Sequence, residues 1–243
     1  MLEINKVYYD DSKELLKNID SKTVDLVVID PPYKMDKSLS TSNSEFTRQI
    51  KKYNKELIRD NLVDDYDKAI LDELIRVMKK INIYIWCSIS QIPFYIDYFV
   101  KKLECKMEVL VRNKTNPIPL HSHRYLFDKE YCLYFRKGGY CSPISYDDTK
   151  TVYYLPTNVK DKKKWGHPTI KPLSIFRTII RNSSNKGDLV LDCFLGSGTT
   201  AVACILENRN YIGIENNLKY FDVANNRISS LNNLNDDIKI GIN

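Results

Sequence analysis

Two segments of this chain end apolar runs with residues suited to group transfer onto an amine. Asp30-Pro31-Pro32-Tyr33 closes one run, and Asp192-Cys193-Phe194-Leu195-Gly196-Ser197-Gly198-Thr199-Thr200 closes another. In the first, the prolines fix φ and remove two N–H donors, so the local carbonyls stand as rigid acceptors. Asp30 and the Pro31 carbonyl can each accept a hydrogen from one planar amine, and Tyr33 can stack on the ring that bears it. Asp-Pro-Pro alone is also how an ordinary strand-to-loop turn reads, so the motif gains meaning only beside the second segment.

That second segment is a glycine turn, which lets a ligand approach the backbone closely. The helix opening at Thr199-Thr200 offers N–H groups and a positive dipole end to a carboxylate or phosphate. Glu215 follows Gly196 by 19 residues, a spacing that suits hydrogen bonding to ribose hydroxyls. A lone Gly-x-Gly reads as a tight turn; the strand before it and the acid after it favour a nucleoside site. A third glycine is absent, since Thr199 and Thr200 follow Gly198 directly. A nucleoside without a pyrophosphate therefore fits better than a dinucleotide.

Both segments need strands to position them. Val24 to Ile29 is short, apolar and rich in β-branched residues, as a buried parallel strand is. Similar runs are Ile83 to Cys87, Met107 to Val111, Tyr131 to Phe135, Leu189 to Leu191 and Tyr211 to Ile214, with a weaker one over Met1 to Tyr9. Helical patterns fall at Ser12 to Asn18, Tyr66 to Lys80, Ile92 to Lys102, Leu173 to Ser183, Thr199 to Asn208 and Leu218 to Leu231. This alternation predicts an α/β fold, a single doubly wound, mostly parallel sheet with helices on both faces. Ligands in such sheets bind beyond the carboxyl ends of the strands, where both motifs fall. Two polar stretches interrupt the pattern. Residues 34–61 read as a flexible flap following the first motif, and residues 137–166 as an irregular, partly basic segment.

The whole chain, 243 residues with 43% hydrophobic content, suits one domain with a sizeable core. No run of 18 apolar residues predicts a membrane span, and the charged start does not read as a signal peptide. Six scattered cysteines lack metal-knuckle spacing; reduced, mostly buried thiols of a cytoplasmic protein and no metal are expected. A net charge of +6 permits nucleic-acid binding without demonstrating it.

Taken as a set, these motifs resemble the amino-methylating, S-adenosyl-L-methionine (AdoMet)-dependent DNA methyltransferases, in the circularly permuted (β-type) subgroup whose catalytic tetrapeptide precedes the AdoMet turn. The likeness spans nearly the whole chain. Asp30-Pro31-Pro32-Tyr33 matches the catalytic tetrapeptide, and Phe194-Leu195-Gly196-Ser197-Gly198 the Phe-x-Gly-x-Gly turn. His167-Pro168-Thr169-Ile170-Lys171-Pro172 matches an element leading into a helix beside AdoMet. Arg112-Asn113-Lys114-Thr115-Asn116-Pro117 is similar to the segment facing the target base, with Asn113 where the family often has Trp. Asp11 matches an acid contacting the adenosine part, and Glu130 an acid without a derived role.

The resemblance implies a seven-stranded class I methyltransferase sheet with one antiparallel edge strand. Cofactor contacts are implied for Asp11, Asp30, His167, Thr169, Lys171, Asp192, Phe194, Gly196, Ser197, Gly198, Thr199, Thr200 and Glu215. It further implies double-stranded DNA as partner, target recognition within 137–166, and a homodimer or a partner specificity subunit. The implied reaction is methyl transfer to adenine N6 after base flipping, because Asp at the tetrapeptide's first position accompanies adenine and Ser accompanies cytosine. Cytosine-N4 or RNA methylation is the alternative, and a non-catalytic nucleic-acid-binding subunit of the same fold is a second. Lys114, Asn116, His121, His123, Arg124, Lys162, Lys163 and Lys164 are candidate nucleic-acid contacts, read against the plainer alternative of a solvated surface.

Overall fold

A computed structural model describes residues 2–33, 55, 57–59, 66–117 and 125–240, with backbone alone for 232–240. The proposed flap at 34–61 lies outside the described residues save four positions, and His121, His123 and Arg124 lie outside them altogether.

The described strands are β1 (Lys6–Tyr9), β2 (Leu26–Ile29), β3 (Ile81–Cys87), β4 (Lys106–Lys114), β5 (Lys129–Lys137), β6 (Val152–Leu155), β7 (Leu189–Asp192) and β8 (Asn210–Glu215). They form one sheet in the order β1-β8-β7-β2-β3-β5-β4-β6. Helices α1 (Ser12–Leu15), α2 (Ala69–Val77), α3 (Ile92–Tyr95), α4 (Val159–Trp165), α5 (Leu173–Ser183), α6 (Thr199–Leu206) and α7 (Leu218–Ile240) connect or flank the strands. α3 continues as a π-helical turn over Ile96–Lys102.

β2 shows why its run is apolar throughout. Val27 and Ile29 pack with Leu71, Leu74 and Val77 of α2 in one core. Leu26 and Val28 face the other core, with Ile175, Phe176 and Ile179 of α5. Successive residues point to opposite faces and both faces are covered, so no position is left for a polar side chain. Helix α2 buries Ile70, Leu71, Leu74 and Val77, and α5 buries Ile175, Phe176, Ile179 and Ile180, each a single stripe at helical spacing.

The placement of the site follows from the strand order. β2 pairs in parallel with β7 on one side and with β3 on the other. The chain leaves β2 through α2 toward β3, and leaves β7 through α6 toward β8. The two crossovers diverge, so a crevice opens between the carboxyl ends of β2 and β7, the switch point where α/β sheets bind ligands.

Three expectations need correction. Among the described residues the sheet has eight strands, not seven. The addition is β6, parallel to β4 through Val111↔Val152 to Lys114↔Leu155. It lies within 137–166, where four residues stopped by Pro156 give too little alternation to stand out. The segment also contains α4, so it is not irregular throughout. Finally, the antiparallel strand is β5, which lies inside the sheet between β3 and β4. Cys132 to Phe135 are fully buried there, a stretch too apolar for an open edge.

Candidate active site

Asp30 stands at the first residue after β2, with the buried Ile29 behind it. Its two carboxylate oxygens have different partners. The Tyr33 hydroxyl donates to Oδ1 at 2.9 Å, and Lys171 Nζ lies 3.0 Å from Oδ2. Lys171 also donates to the Tyr33 hydroxyl at 2.7 Å, closing a triangle. The lysine side chain is only 6% exposed, and its ammonium lies 4.9 Å from the Tyr33 ring centroid and 5.1 Å from that of Trp86. Trp86 is stacked on Phe176 of α5, so the floor of the site is continuous with the core. Burial pushes the Asp30 carboxyl up; Lys171 and Tyr33 oppose that push. The Pro32 carbonyl accepts from Gln91 Nε2 at 3.3 Å, fixing the turn from the β3 side.

A second carboxylate stands nearby. Glu130 of β5 pairs with Arg112 and Lys114 of β4, each at 2.9 Å. Burial works against its charge, but Lys171, Lys114 and Arg112 outweigh it and bring the carboxyl down to about 2. Arg112 is itself buried and also donates to the Pro156 carbonyl at 2.7 Å, which fastens the end of β6.

The glycine turn follows β7. Gly196 and Gly198 have φ of 53° and 80°, in the left-handed region that disfavours side chains. A Cβ on Gly198 would lie 3.0 Å from the Ala224 Cβ, and one on Gly196 would lie 3.1 Å from His167 Nε2. Glu215 at the end of β8 accepts from the Gly196 amide at 2.7 Å and from the Asn217 amide at 2.8 Å. Asp192 accepts from the Thr200 hydroxyl and from the Phe194 amide at 3.0 Å. Burial outweighs these bonds and raises Asp192 to about 7. Ser197 and Thr199 are tied to Arg227 of α7, whose guanidinium donates to the Ser197 carbonyl at 2.6 Å and to both hydroxyls.

His167 completes this wall. Burial, then the charges of Lys171 and Arg227, bring it down to about 3, so its ring is neutral. Its Nδ1 accepts from the Thr169 amide at 3.3 Å, which leaves the hydrogen on Nε2. That Nε2 is buried with no partner among the described residues.

Both strand tips line one cavity of about 430 Å³. Asp11, Asp30, His167, Thr169, Lys171, Asp192, Phe194, Gly196, Ser197, Thr199, Thr200 and Glu215 all border it, twelve of the thirteen residues expected to contact a cofactor. Gly198 is not on the wall but caps α6 just behind it. Several expected contacts are refined. Asp11 caps α1 by accepting from the Lys13 amide at 2.8 Å, and the hydroxyls of Ser197, Thr199 and Thr200 brace the turn. Glu215 holds Gly196 and keeps acceptor capacity beyond its backbone bonds. The cavity matches a nucleoside cofactor on its own features: bare glycine backbone, an orphaned imidazole N–H, and carboxylates able to accept hydroxyls. Among the described residues, no cluster of three or more His, Cys, Asp or Glu side chains is placed to hold a metal ion.

The candidate nucleic-acid contacts fare unevenly. Lys114 is committed to Glu130, and Asn116 accepts from the Thr157 amide at 2.6 Å; both serve the fold here. Lys163 and Lys164 are exposed on α4. Lys162 is half-buried beside the Glu130 cluster, and burial lowers it to about 8. Sequence reasoning named Arg112 and Glu130 without their pairing, and it missed two supports of the site: Arg227, and Ser12, whose hydroxyl donates to the Cys193 carbonyl. Nothing in their local sequence marks them. All six cysteines are free, and none of the described helices is long and apolar enough to cross a membrane.

Comparison with known proteins agrees with this architecture. A family model described as DNA methylase matches residues 24–226. The chain is 30% identical to the type II methyltransferase M.HinfI of Haemophilus influenzae, over 98% of this chain and 72% of that protein. It is 29% identical to the DNA adenine methyltransferase YhdJ of Escherichia coli strain K12, over 93% and 83%. Among solved structures, the M1.HpyAVI–SAM complex aligns with a TM-score of 0.65 at 26% identity, covering 92% of this chain and 98% of that one. The cytosine-N4-specific PvuII DNA methyltransferase shares the fold, with a TM-score of 0.67 at 17% identity over 90% and 84%.

Proposed function

The chain belongs to the N6/N4 DNA methylase family, and on that premise we propose that it methylates the exocyclic N6 of adenine in double-stranded DNA. The cofactor is S-adenosyl-L-methionine. One observation carries the reading: Asp30 and the glycine turn, distant in sequence, stand at neighbouring strand tips around a shared cavity. The order of the two motifs is that of the permuted β-type subgroup. Target recognition is assigned to residues 137–166.

An exocyclic amine inside a duplex is paired and stacked, so the base must swing out, at a cost of a few kcal/mol. Tyr33 offsets part of that cost by stacking, about 1–3 kcal/mol by analogy with other base–aromatic pairs. Its hydroxyl bonds to Asp30 and Lys171 hold the ring in place before a base arrives. Asp30 then accepts one hydrogen of the amine, and the Pro31 carbonyl the other. Drawing both hydrogens toward acceptors frees the nitrogen lone pair from the ring. When bound, S-adenosyl-L-methionine supplies an electrophilic methyl group. His167 Nε2, Glu215 and the glycine backbone orient it, which makes positioning the main source of rate. No covalent enzyme intermediate is needed.

The test is methyl transfer from labelled AdoMet to unmethylated duplex DNA, followed by digestion to nucleosides and mass analysis. Label in N6-methyladenine is expected. Label in N4-methylcytosine would replace adenine by the alternative base, and preferential loss of signal to RNA competitor would replace DNA. AdoMet binding without transfer to any nucleic acid would remove the catalytic reading.

A further inference from the structure

Asp30 meets an incoming amine with both oxygens already engaged, each keeping one further lone pair for a substrate hydrogen. The Tyr33 hydroxyl engages one oxygen and Lys171 the other. Lys171 is an unusual neighbour: a buried ammonium among Tyr33 and Trp86, within the field of a second carboxylate, Glu130. Glu130 already carries Arg112 and Lys114, so it does not need Lys171 for neutrality. We propose that Lys171 is a positioning residue that, from its place on Oδ2, keeps Asp30 an anionic hydrogen acceptor for the substrate amine. This rests on Asp30 being the acceptor of the methylation proposed above.

The physical need is plain. A carboxyl in a half-closed cavity favours its neutral form, which is a donor as well as an acceptor. A neutral Asp30 would direct its own hydrogen into the site and compete with the amine. Other groups facing Asp30 do not prevent this. Glu130 on β5 and Asp192 at the tip of β7 carry or can acquire negative charge, which makes ionising Asp30 harder. Cys87 on β3 and Cys132 on β5 are held in the thiol form by burial. His167 is neutral. Tyr33 donates a hydrogen bond but brings no charge. Arg112 and Lys114 on β4 are spent on Glu130, and Lys162 on α4 faces that same cluster. Lys171 is thus the cation in direct contact with the Asp30 carboxylate among the described residues.

The test uses the full chain with K171M, K171R and, as a second neutral variant should K171M fail to fold, K171Q. Single-turnover transfer from labelled AdoMet to unmethylated genomic DNA is followed from roughly pH 5.5 to 9 with both partners saturating. AdoMet affinity is measured separately by calorimetry. In K171M the acidic limb of the rate profile should move up by about one pH unit or more, with a rate loss of about tenfold near neutrality that recovers as pH rises. K171R should keep the wild-type limb, and AdoMet affinity should change by less than about threefold. An unmoved limb, a uniform loss at every pH, or a loss confined to AdoMet affinity would each overturn the proposal, the last making Lys171 a cofactor ligand. Failure of the wild type to methylate DNA would instead strike the methylase reading. The Asp30 carboxyl titration, followed by carbon-13 NMR and assigned with D30N, then still decides: a midpoint higher in K171M supports the role of Lys171, and an unchanged midpoint refutes it.

Discussion

Asp30, half-buried, and His167, buried, are two titratable side chains whose charge states the surroundings set in opposite ways. With Asp30 as the proposed acceptor, Asp30→Ala should lower turnover by about a hundredfold or more, in the range of losses for groups acting at the reacting atom. AdoMet binding should survive, and a variant with near-normal turnover would exclude the mechanism. His167 is kept neutral, its folded value of about 3 lying below the ordinary 6.5. The unfolded chain therefore takes up a proton that the native chain refuses as pH falls between those values. The stability contribution is whole above pH 6.5 and is lost as pH drops toward 3. Thermal melts should show the wild type losing stability below neutrality more steeply than His167→Gln, which keeps a side-chain N–H donor. Parallel slopes would show that another group drives the acid loss. Spacing made Asp30, Tyr33 and the glycine turn legible, because each motif is local. Lys171 was legible only as part of a cofactor element. Its bond to Tyr33, 138 residues away, depends on two loops meeting above the sheet.

At the scale of elements, the cofactor turn is clamped by the strand beside it. Leu195 packs directly over Gly213 of β8, where an added Cβ would sit 2.6 Å from Leu195 Cδ2. Leu195 is also tied to β8 by its amide, which donates to the Ile214 carbonyl at 3.0 Å. Gly213→Ala should thus cost about 1–3 kcal/mol by overpacking and weaken AdoMet binding by displacing the turn. Leu195→Ala alone should cost about 2–5 kcal/mol through the lost burial and the space left behind. Combined, the two should cost clearly less than their sum, since each relieves the other's misfit. Urea unfolding measures all three, and strict additivity would show that the contact does not constrain the turn. The sequence marked Tyr211 to Ile214 as a strand but offered no reason for a glycine within it. That reason is the leucine across from it. β6 and α4 stayed hidden for a different cause. The alternation of β6 covers four residues, and α4 is largely lysine, with no buried residue to give a periodic stripe.

Over the whole molecule, the alternation of strands and helices was enough to foresee the parallel sheet. It did not give the neighbour relations, because pairing β2 with β7 is a property of how the crossovers pack. Charge is likewise a global property whose local meaning the fold decides. The net charge of +6 and the exposed Lys163 and Lys164 suit phosphate contacts. DNA affinity should fall with salt, and replacing both lysines by alanine should reduce the slope of log K against log salt by about 2. Lys162→Ala should leave that slope nearly unchanged, because Lys162 is half-buried against the Glu130 cluster. Equal effects from all three substitutions would show that α4 turns as a unit toward the duplex.

The closed triangle of Asp30, Tyr33 and Lys171 also bears on which nucleobases are turned away. On the proposed mechanism, an incoming ring must offer a hydrogen of its own to the Asp30 carboxylate. Adenine and cytosine present an amine at the matching edge. Thymine presents an oxygen there, as guanine does at O6, and that oxygen would meet the carboxylate as one acceptor meeting another. On that mechanism, discrimination against them would come from the repulsion between two acceptors, with no dedicated steric barrier required.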